Sequence, residues 1–194
     1  GSISASELTL GVTVGSLAQT AGTLIVQSDL NLTAGGDITL ASMTSTGGNI
    51  GLVAGGRILD ATSGSESALL TTSTANRSVS LQAVAGIGLD DQSDDIEIST
   101  DMLLSARTTT GSVYVSSARA LIVGQVSAVD AASVRVSAGS LTLTDSFAAS
   151  TVRIEVASGA LTMQADGLIL GGTSIDLDSS QDMSITRILA SGPG

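Results

Sequence analysis

The chain has 194 residues, of which 42% are apolar and 1% aromatic, and its formal net charge is −11. It contains no cysteine and no histidine, which excludes disulfides, thiolate metal sites and catalytic arrangements built on either residue. Its seven basic residues are all arginines, and an acidic chain with neither lysine nor tryptophan lacks the charge and the stacking surfaces of a nucleic-acid binder.

The apolar residues are almost all Leu, Ile, Val and Ala. A globular core of this size normally uses aromatic rings to fill its wide centre. The near absence of rings therefore favours a narrow interior of constant cross-section, which is a property of solenoids. No apolar run approaches the ~20 residues of a membrane helix.

Short triplets of the form apolar–x–apolar run through the chain. In chain order the clearest are Leu8-Thr9-Leu10, Ile38-Thr39-Leu40, Ile96-Glu97-Ile98, Val134-Arg135-Val136 and Leu141-Thr142-Leu143. A period of two residues puts the outer side chains of a triplet on one face and the middle one on the other, as in a strand. Turn-forming residues lie between the triplets, and the 23 glycines disfavour helices.

The triplets repeat with a period of about 20 residues, as in a repeat architecture. In the first half, Leu30 and Ile38 are followed 20 residues later by Ile50 and Ile58. In the second half we distinguish three series, which are Leu121, Leu141, Leu161 and Met183; Val113, Val134, Val152 and Ile175; and Val126, Phe147 and Leu168. Residues 59–78 interrupt the repeat and predict a loop pushed out of one coil.

One strand per ~7 residues is too dense for a β-sandwich. The period instead predicts an all-β fold, a right-handed parallel β-helix (solenoid) with about 20 residues per coil and roughly nine or ten coils. Residues 1–194 are interpreted as a single β-helix segment of a longer protein.

Stacked coils place equivalent residues in ladders. The three series become inner files, with Phe147 in the third, while Tyr114 points outward. The triplet middles become two outer ladders, which are Tyr114, Arg135, Arg153 and Asp176, and Ile122, Thr142, Thr162 and Ser184. The first ladder predicts a Tyr114–Arg135 cation–π contact, a like-charge Arg135–Arg153 neighbour and an Arg153–Asp176 ion pair.

Several segments combine a small residue and glycine with a following triplet. They are Ala34-Gly35-Gly36-Asp37-Ile38-Thr39-Leu40, Ala54-Gly55-Gly56-Arg57-Ile58, Ala138-Gly139-Ser140-Leu141-Thr142-Leu143 and Ser158-Gly159-Ala160-Leu161-Thr162-Met163. On these residues the sequence resembles the repeat region of filamentous-haemagglutinin-like exoproteins and similar giant bacterial surface adhesins. The resemblance covers residues 8–58 and 113–185, and it implies a rod or stalk segment of an extracellular protein. The Asn-Pro-rich secretion domain of that family has no counterpart in these residues.

The acidic run Asp90-Asp91-Gln92-Ser93-Asp94-Asp95 is the sharpest local feature. Carboxylate oxygens are the ligands that Ca²⁺ prefers, so Asp90, Asp91, Asp94 and Asp95 are the candidate calcium ligands. The spacing matches neither an EF-hand nor the nonapeptide of calcium-binding β-rolls. The alternative interpretation is a solvated acidic turn, with no cofactor.

Other functions fit the sequence less well. Polysaccharide-cleaving β-helices need convergent carboxylates or a basic residue beside aromatic platforms, which the triplet middles do not supply, so we expect no enzyme. Ice binding needs a flat array of threonines, and Ile122 and Ser184 interrupt the pair Thr142 and Thr162. Glycine pairs such as Gly47-Gly48 cannot form a phosphate loop without lysine and are interpreted as corners with positive φ.

The sequence thus favours a non-catalytic stalk or adhesion segment of a large secreted or cell-surface bacterial protein. A calcium-stabilised solenoid of a surface or biofilm adhesin, or an ice-binding solenoid, are the alternatives. The expected partners are neighbouring repeats, a second copy stacked end to end, and cell-surface glycans or proteins. Neither nucleic acid nor membrane insertion is expected.

Overall fold

A computed structural model describes residues 3–62, 68–90 and 94–191. These residues form strands, turns and bends and contain no helix, so none of their elements offers a membrane-crossing helix. The strands join one sheet of parallel pairs that winds into stacked coils. The prediction of an all-β parallel solenoid is confirmed, whereas its right-handedness stays a prediction.

The first four coils each contain three short strands. They are β1 (Ile3–Ala5), β2 (Leu8–Val12) and β3 (Leu17–Ala18); β4 (Leu24–Val26), β5 (Leu30–Ala34) and β6 (Ile38–Leu40); β7 (Met43–Ser45), β8 (Ile50–Ala54) and β9 (Arg57–Asp60); and β10 (Leu70–Thr72), β11 (Ser78–Ala83) and β12 (Gly86–Ile87).

The later coils have longer strands, some of which turn a corner of the coil without a break. They are β13 (Ile96–Ser99), β14 (Met102–Thr108), β15 (Val113–Ser117), β16 (Leu121–Ser127), β17 (Ala131–Val136), β18 (Leu141–Leu143), β19 (Ser146–Val156), β20 (Leu161–Met163), β21 (Leu168–Ser179), β22 (Met183–Ser184) and β23 (Ile188–Ala190).

One inner file runs along the described stack from end to end, and the number of its residues gives the number of rungs. It passes through nine residues, which are Leu10, Leu32, Leu52, Leu81, Ala106, Val126, Phe147, Ile169 and Ile188. Most steps along the file span 19 to 22 residues, but the third spans 29 and the fourth 25. Nine rungs at ~4.8 Å per parallel ladder make a stack about 40 Å long.

The core is a continuous apolar column inside the coils. Phe147 is completely buried in its predicted file, and Tyr114 points outward from β15 with its neighbours Val113 and Val115 buried, so both predictions are confirmed. The file of Leu121, Leu141, Leu161 and Met183 and the ladder of Ile122, Thr142, Thr162 and Ser184 also have the predicted register.

The inner file predicted through Val134 is shifted by two residues. Val134 pairs with Val115 and Ile154, and Ala132 takes the place predicted for Val134. The prediction began this strand at its first bulky residue, whereas the small Ala131-Ala132 already belongs to β17. A shift of two residues leaves every side chain on its face, because the side-chain period of a strand is two.

The outer ladder changes for the same reason. Arg135 pairs with Ser116 and Glu155, so the predicted Tyr114–Arg135 and Arg135–Arg153 neighbours are wrong. Glu155 lies between the two arginines. The repulsion expected between Arg135 and Arg153 is therefore replaced by the attraction of each arginine to Glu155. The Arg153–Asp176 pair is confirmed, with Nε and Oδ2 4.0 Å apart.

Two smaller expectations also differ from the structure. Leu168 pairs with Ser146, and Ile169 is the residue that stacks on Phe147, so the third series was displaced by one residue. Neither Gly47 nor Gly48 has positive φ. Glycine is needed at 48 because a Cβ there would lie 2.3 Å from the carbonyl carbon of Ser28 in the coil below.

The range 59–78, predicted as a loop, contains strand β10, which pairs in register with β7 and β13. Residues 63–67 of that range lie outside the described residues. A second departure from the repeat, which the sequence period did not reveal, lies between β12 and β13.

Candidate functional site

The candidate site lies on one lateral face of the stack, formed by β15, β17 and the second halves of β19 and β21. We call it the lateral face. Because alternate residues of each strand point outward, two ladders run side by side along it. One contains Tyr114, Ser133, Arg153 and Asp176, and the other Ser116, Arg135, Glu155 and Asp178.

Ion pairs connect the two ladders. Glu155 lies between two arginines, with its Oε1 3.6 Å from Arg135 Nε and its Oε2 3.3 Å from Arg153 Nη2. The side chains of Arg135 and Glu155 are 30% and 23% exposed, and that of Arg153 is 56% exposed. Pairs with this much exposure contribute only ~0.2–1 kcal/mol each, so their main effect is to hold the charged groups in fixed positions.

An acidic excursion bounds the lateral face at one end. Ile87 stacks beneath Val113, and Ile96 stacks beneath Val115. Eight residues, 88–95, therefore separate two residues that stack beneath one strand on either side of Tyr114; the structure describes 88–90, 94 and 95 of them, which we call the excursion. Within this excursion the amide of Leu89 donates to the carbonyl of Asp94 at 2.9 Å.

A groove lies between the excursion and the two ladders. It consists of two depressions of about 260 Å³ each. Both are lined by Asp90, Tyr114, Ser133 and Arg153, so they adjoin one another. Arg135 and Glu155 complete the lining of one depression, and Asp176 that of the other. We call this site the lateral groove.

A buried carboxyl group lies next to the groove. Glu97 points outward from β13 but is only 5% exposed. Burial raises the pKa of Glu97 to about 8, and the carboxylates of Asp95 and Asp60 add to the rise. A small pocket of about 60 Å³ is lined by Glu97, Ser116 and Arg135, so the buried acid adjoins the second ladder.

The structure brings only part of the predicted calcium cluster to the groove. Asp90 is exposed, and Asp95, which is 8% exposed, lines the same depression. Asp94 is half-buried, and Asp91 lies outside the described residues. Across 3–62, 68–90 and 94–191, no three acidic side chains are arranged to hold a metal ion. Calcium binding therefore stays a prediction.

The threonine ladder considered for ice binding has the predicted register and no further threonine rungs in the described stack. Thr142 pairs with Thr162, flanked by Ile122 and Ser184, and Met102 lies beneath Ile122. The repeated threonine array that this function needs is not formed on this ladder.

The N-terminal end of the described stack holds a cavity of another kind. Its lining is mainly apolar, its volume is about 450 Å³, and it includes Leu8, Leu10, Leu17 and Leu24. Leu8, Leu10 and Leu17 belong to the first coil, and no described coil lies below them. Leu10 is 42% exposed for this reason.

No protein-family model, curated protein or solved structure matches this chain. Function must therefore be argued from the geometry described above.

Sequence reasoning identified Tyr114, Arg135, Arg153, Asp176, Asp90 and Asp95 but did not bring them together as one site. It missed Glu155 and Glu97 as site residues, although Glu97 is the middle of the triplet Ile96-Glu97-Ile98 and Glu155 stands between Ile154 and Val156. The sequence did not reveal the register of the outer ladders, because the number of residues in the excursion cannot be inferred from a repeat of about 20 residues.

Proposed function

We propose that the chain is a non-catalytic structural segment, a stalk or adhesion module, of a large secreted or cell-surface bacterial protein. The observation that carries the proposal is the nine-rung inner file, which passes through the stack without a missing rung. Stacked repeats with nearest-neighbour contacts suit an extended element that separates two other parts of a protein.

The parallel ladders explain how such a spacer would resist bending. Bending the stack would open parallel hydrogen bonds along one side and expose buried Leu, Ile and Val side chains to water. The net charge of −11 opposes side-by-side association of neighbouring rods. The rod therefore stays extended and separate from its neighbours.

The ends of the stack supply the means of extension. Within the described residues, β1, β2 and β3 pair with the coil above them only, and β22 and β23 with the coil below them only. Strand edges of this kind are templates for another strand. We propose that they receive a further coil, from a neighbouring repeat or from a second copy stacked end to end.

Substitution of Leu10 by Asp tests this proposal. Sedimentation velocity over a range of concentrations should show end-to-end oligomers of the native chain, and Leu10→Asp should remain monomeric because it places a charge in the apolar end cavity. Val53→Asp is the matched control, since Val53 is 41% exposed but lies on the outer surface of β8.

The control should associate like the native chain. A native chain that stays monomeric at every concentration contradicts end-to-end stacking, as does equal loss of association in both variants. Circular dichroism of both variants verifies that the stack is still folded.

A further inference from the structure

We propose that the lateral groove binds a neutral oligosaccharide. The groove lies on the side of the rod, so this inference goes beyond the proposed spacer role and does not depend on stacking at the ends. It rests on the only tyrosine of the chain, on two arginines whose charges are matched by carboxylates, and on the excursion that turns a flat face into a groove.

The charges of the groove disfavour an anionic ligand. Arg135 and Arg153 are both paired with Glu155, and Arg153 also with Asp176. Asp90 and Asp95 add further carboxylates to the lining. An anionic ligand would therefore meet four carboxylates and two guanidinium groups and would be repelled, whereas a neutral ligand leaves the existing ion pairs intact.

The same pairs match the chemistry of sugar hydroxyls. A hydroxyl group both donates and accepts hydrogen bonds. An arginine beside a carboxylate offers a strong donor next to a strong acceptor. Ser133 adds a small hydroxyl between Tyr114 and Arg153 in the ladder.

Tyr114 supplies the apolar part of the site. A tyrosine ring combines a broad apolar face with a polar tip, and the face of a pyranose ring carries C–H groups that pack on such a surface. Tyr114 lines both depressions and lies beside the excursion. Each depression, at about 260 Å³, approaches the lower end of the ~300–1,000 Å³ typical of ligand pockets.

A peptide fits the groove less well. An extended peptide usually binds by adding a strand to an open sheet edge. The second half of β21, at the end of the described stack, pairs with β19 only, but the other strands under the groove are paired on both sides, β17 with β15 and β19, and β19 with β17 and β21. Their backbone groups are therefore occupied, and the groove offers no deep apolar pocket for a peptide side chain.

The experiment uses the fluorescence of Tyr114. The chain has one tyrosine and no tryptophan, so its tyrosine emission reports on this groove alone. We would titrate the native chain with cellotetraose, maltotetraose, chitotetraose and a β-1,3-glucan tetramer, up to about ten millimolar, where weak binding is still detected. A saturable change with at least one of them is expected. Tetragalacturonate and a mixed tetrapeptide library serve as comparison ligands.

Arg153→Met and Tyr114→Ala test the assignment, with saturation-transfer NMR on the sugar as a readout that does not need the tyrosine. Both should weaken binding by at least about tenfold, Arg153→Met through the loss of one charge-assisted hydrogen bond and Tyr114→Ala through the loss of the ring on which the sugar packs. Arg119→Met is the matched control, because Arg119 is 47% exposed and also ion-paired, to Asp101, but does not line the groove.

Three results would overturn the inference: no response to any neutral sugar, binding of tetragalacturonate or peptide in preference to the neutral sugars, or equal weakening by Arg119→Met. Leu10→Asp should retain sugar binding, and Arg153→Met should retain end-to-end association. The two proposals can therefore fail separately.

Discussion

Single side chains tie successive coils together at the corners. Asp37 Oδ1 accepts the amide of Arg57 at 2.7 Å, and the amide of Asp37 in turn donates to Ser16 Oγ at 2.9 Å. Such contacts satisfy backbone amides that no strand ladder reaches. They also bring the coils so close that some corner positions exclude a Cβ.

Substitution of Gly56 by Ala tests this close approach. A Cβ at Gly56 would lie 2.0 Å from Asp37 Oδ1, whereas one at Gly11 would have no atom within 4 Å. Gly56→Ala should lower the free energy of unfolding by about 1–3 kcal/mol, as other overpacked sites do. Gly11→Ala is the control and should change it by less than about 0.5 kcal/mol. Urea unfolding measures both, and equal effects would contradict the argument.

The buried Glu97 predicts how stability depends on pH. Its pKa is about 8 in the folded chain, whereas the ordinary pKa of a glutamic acid is 4.5. The unfolded chain therefore releases this proton at lower pH than the folded chain does. The contribution of Glu97 to stability is unchanged below about pH 4.5, falls as pH rises from there to about 8, and levels off above.

Glu97→Gln should remove this dependence. At pH 8.5 it should be more stable than the native chain by on the order of 5 kcal/mol, and at pH 4 nearly equal to it. Asp166→Asn, at an exposed position, is the charge-matched control. Thermal melts at the two pH values measure the difference, and a Glu97→Gln chain that is less stable at pH 8.5 would contradict the prediction.

At the scale of elements, a strand that stacks on two others creates the site. β15 lies on both β12 and β13, with Val113 on Ile87 and Val115 on Ile96. The excursion 88–95 is thus an insertion into one strand position of the repeat. The coils above the insertion remain in register because Ile87 and Ile96, on its two sides, still stack under Val113 and Val115.

Replacement of residues 88–95 by one serine tests this view. The resulting Ile87-Ser-Ile96 has the pattern of Val113-Tyr114-Val115 above it, so the chain should fold with an unchanged strand content by circular dichroism. The shortened chain also tests the calcium hypothesis, which expects calcium to raise the melting temperature of the native chain only. An aggregated or unfolded product would show that the excursion is part of the stack.

At the scale of the whole molecule, the rod separates two kinds of surface. Its ends expose inner-file residues, among them Leu10 at 42% and Ile188 at 43%. Its sides carry polar and charged residues, among them Arg135, Arg153 and Glu155 of the lateral face. Apolar ends and charged sides favour growth along the axis over lateral association, and the end-stacking experiment above is the test at this scale.

The sequence alone determined the parallel solenoid, its apolar inner files and the places of Phe147 and Tyr114. Local alternation and a period of about 20 residues suffice for these, because each coil contacts only its neighbours. The tertiary structure decided which outer residues stand side by side. Ala131-Ala132 shifted one ladder by two residues, and the excursion 88–95 stacked Ile87 and Ile96 under a single strand. The register between coils depends on the number of residues that leave each coil. This number places Glu155 between two arginines and Asp90 beside Tyr114.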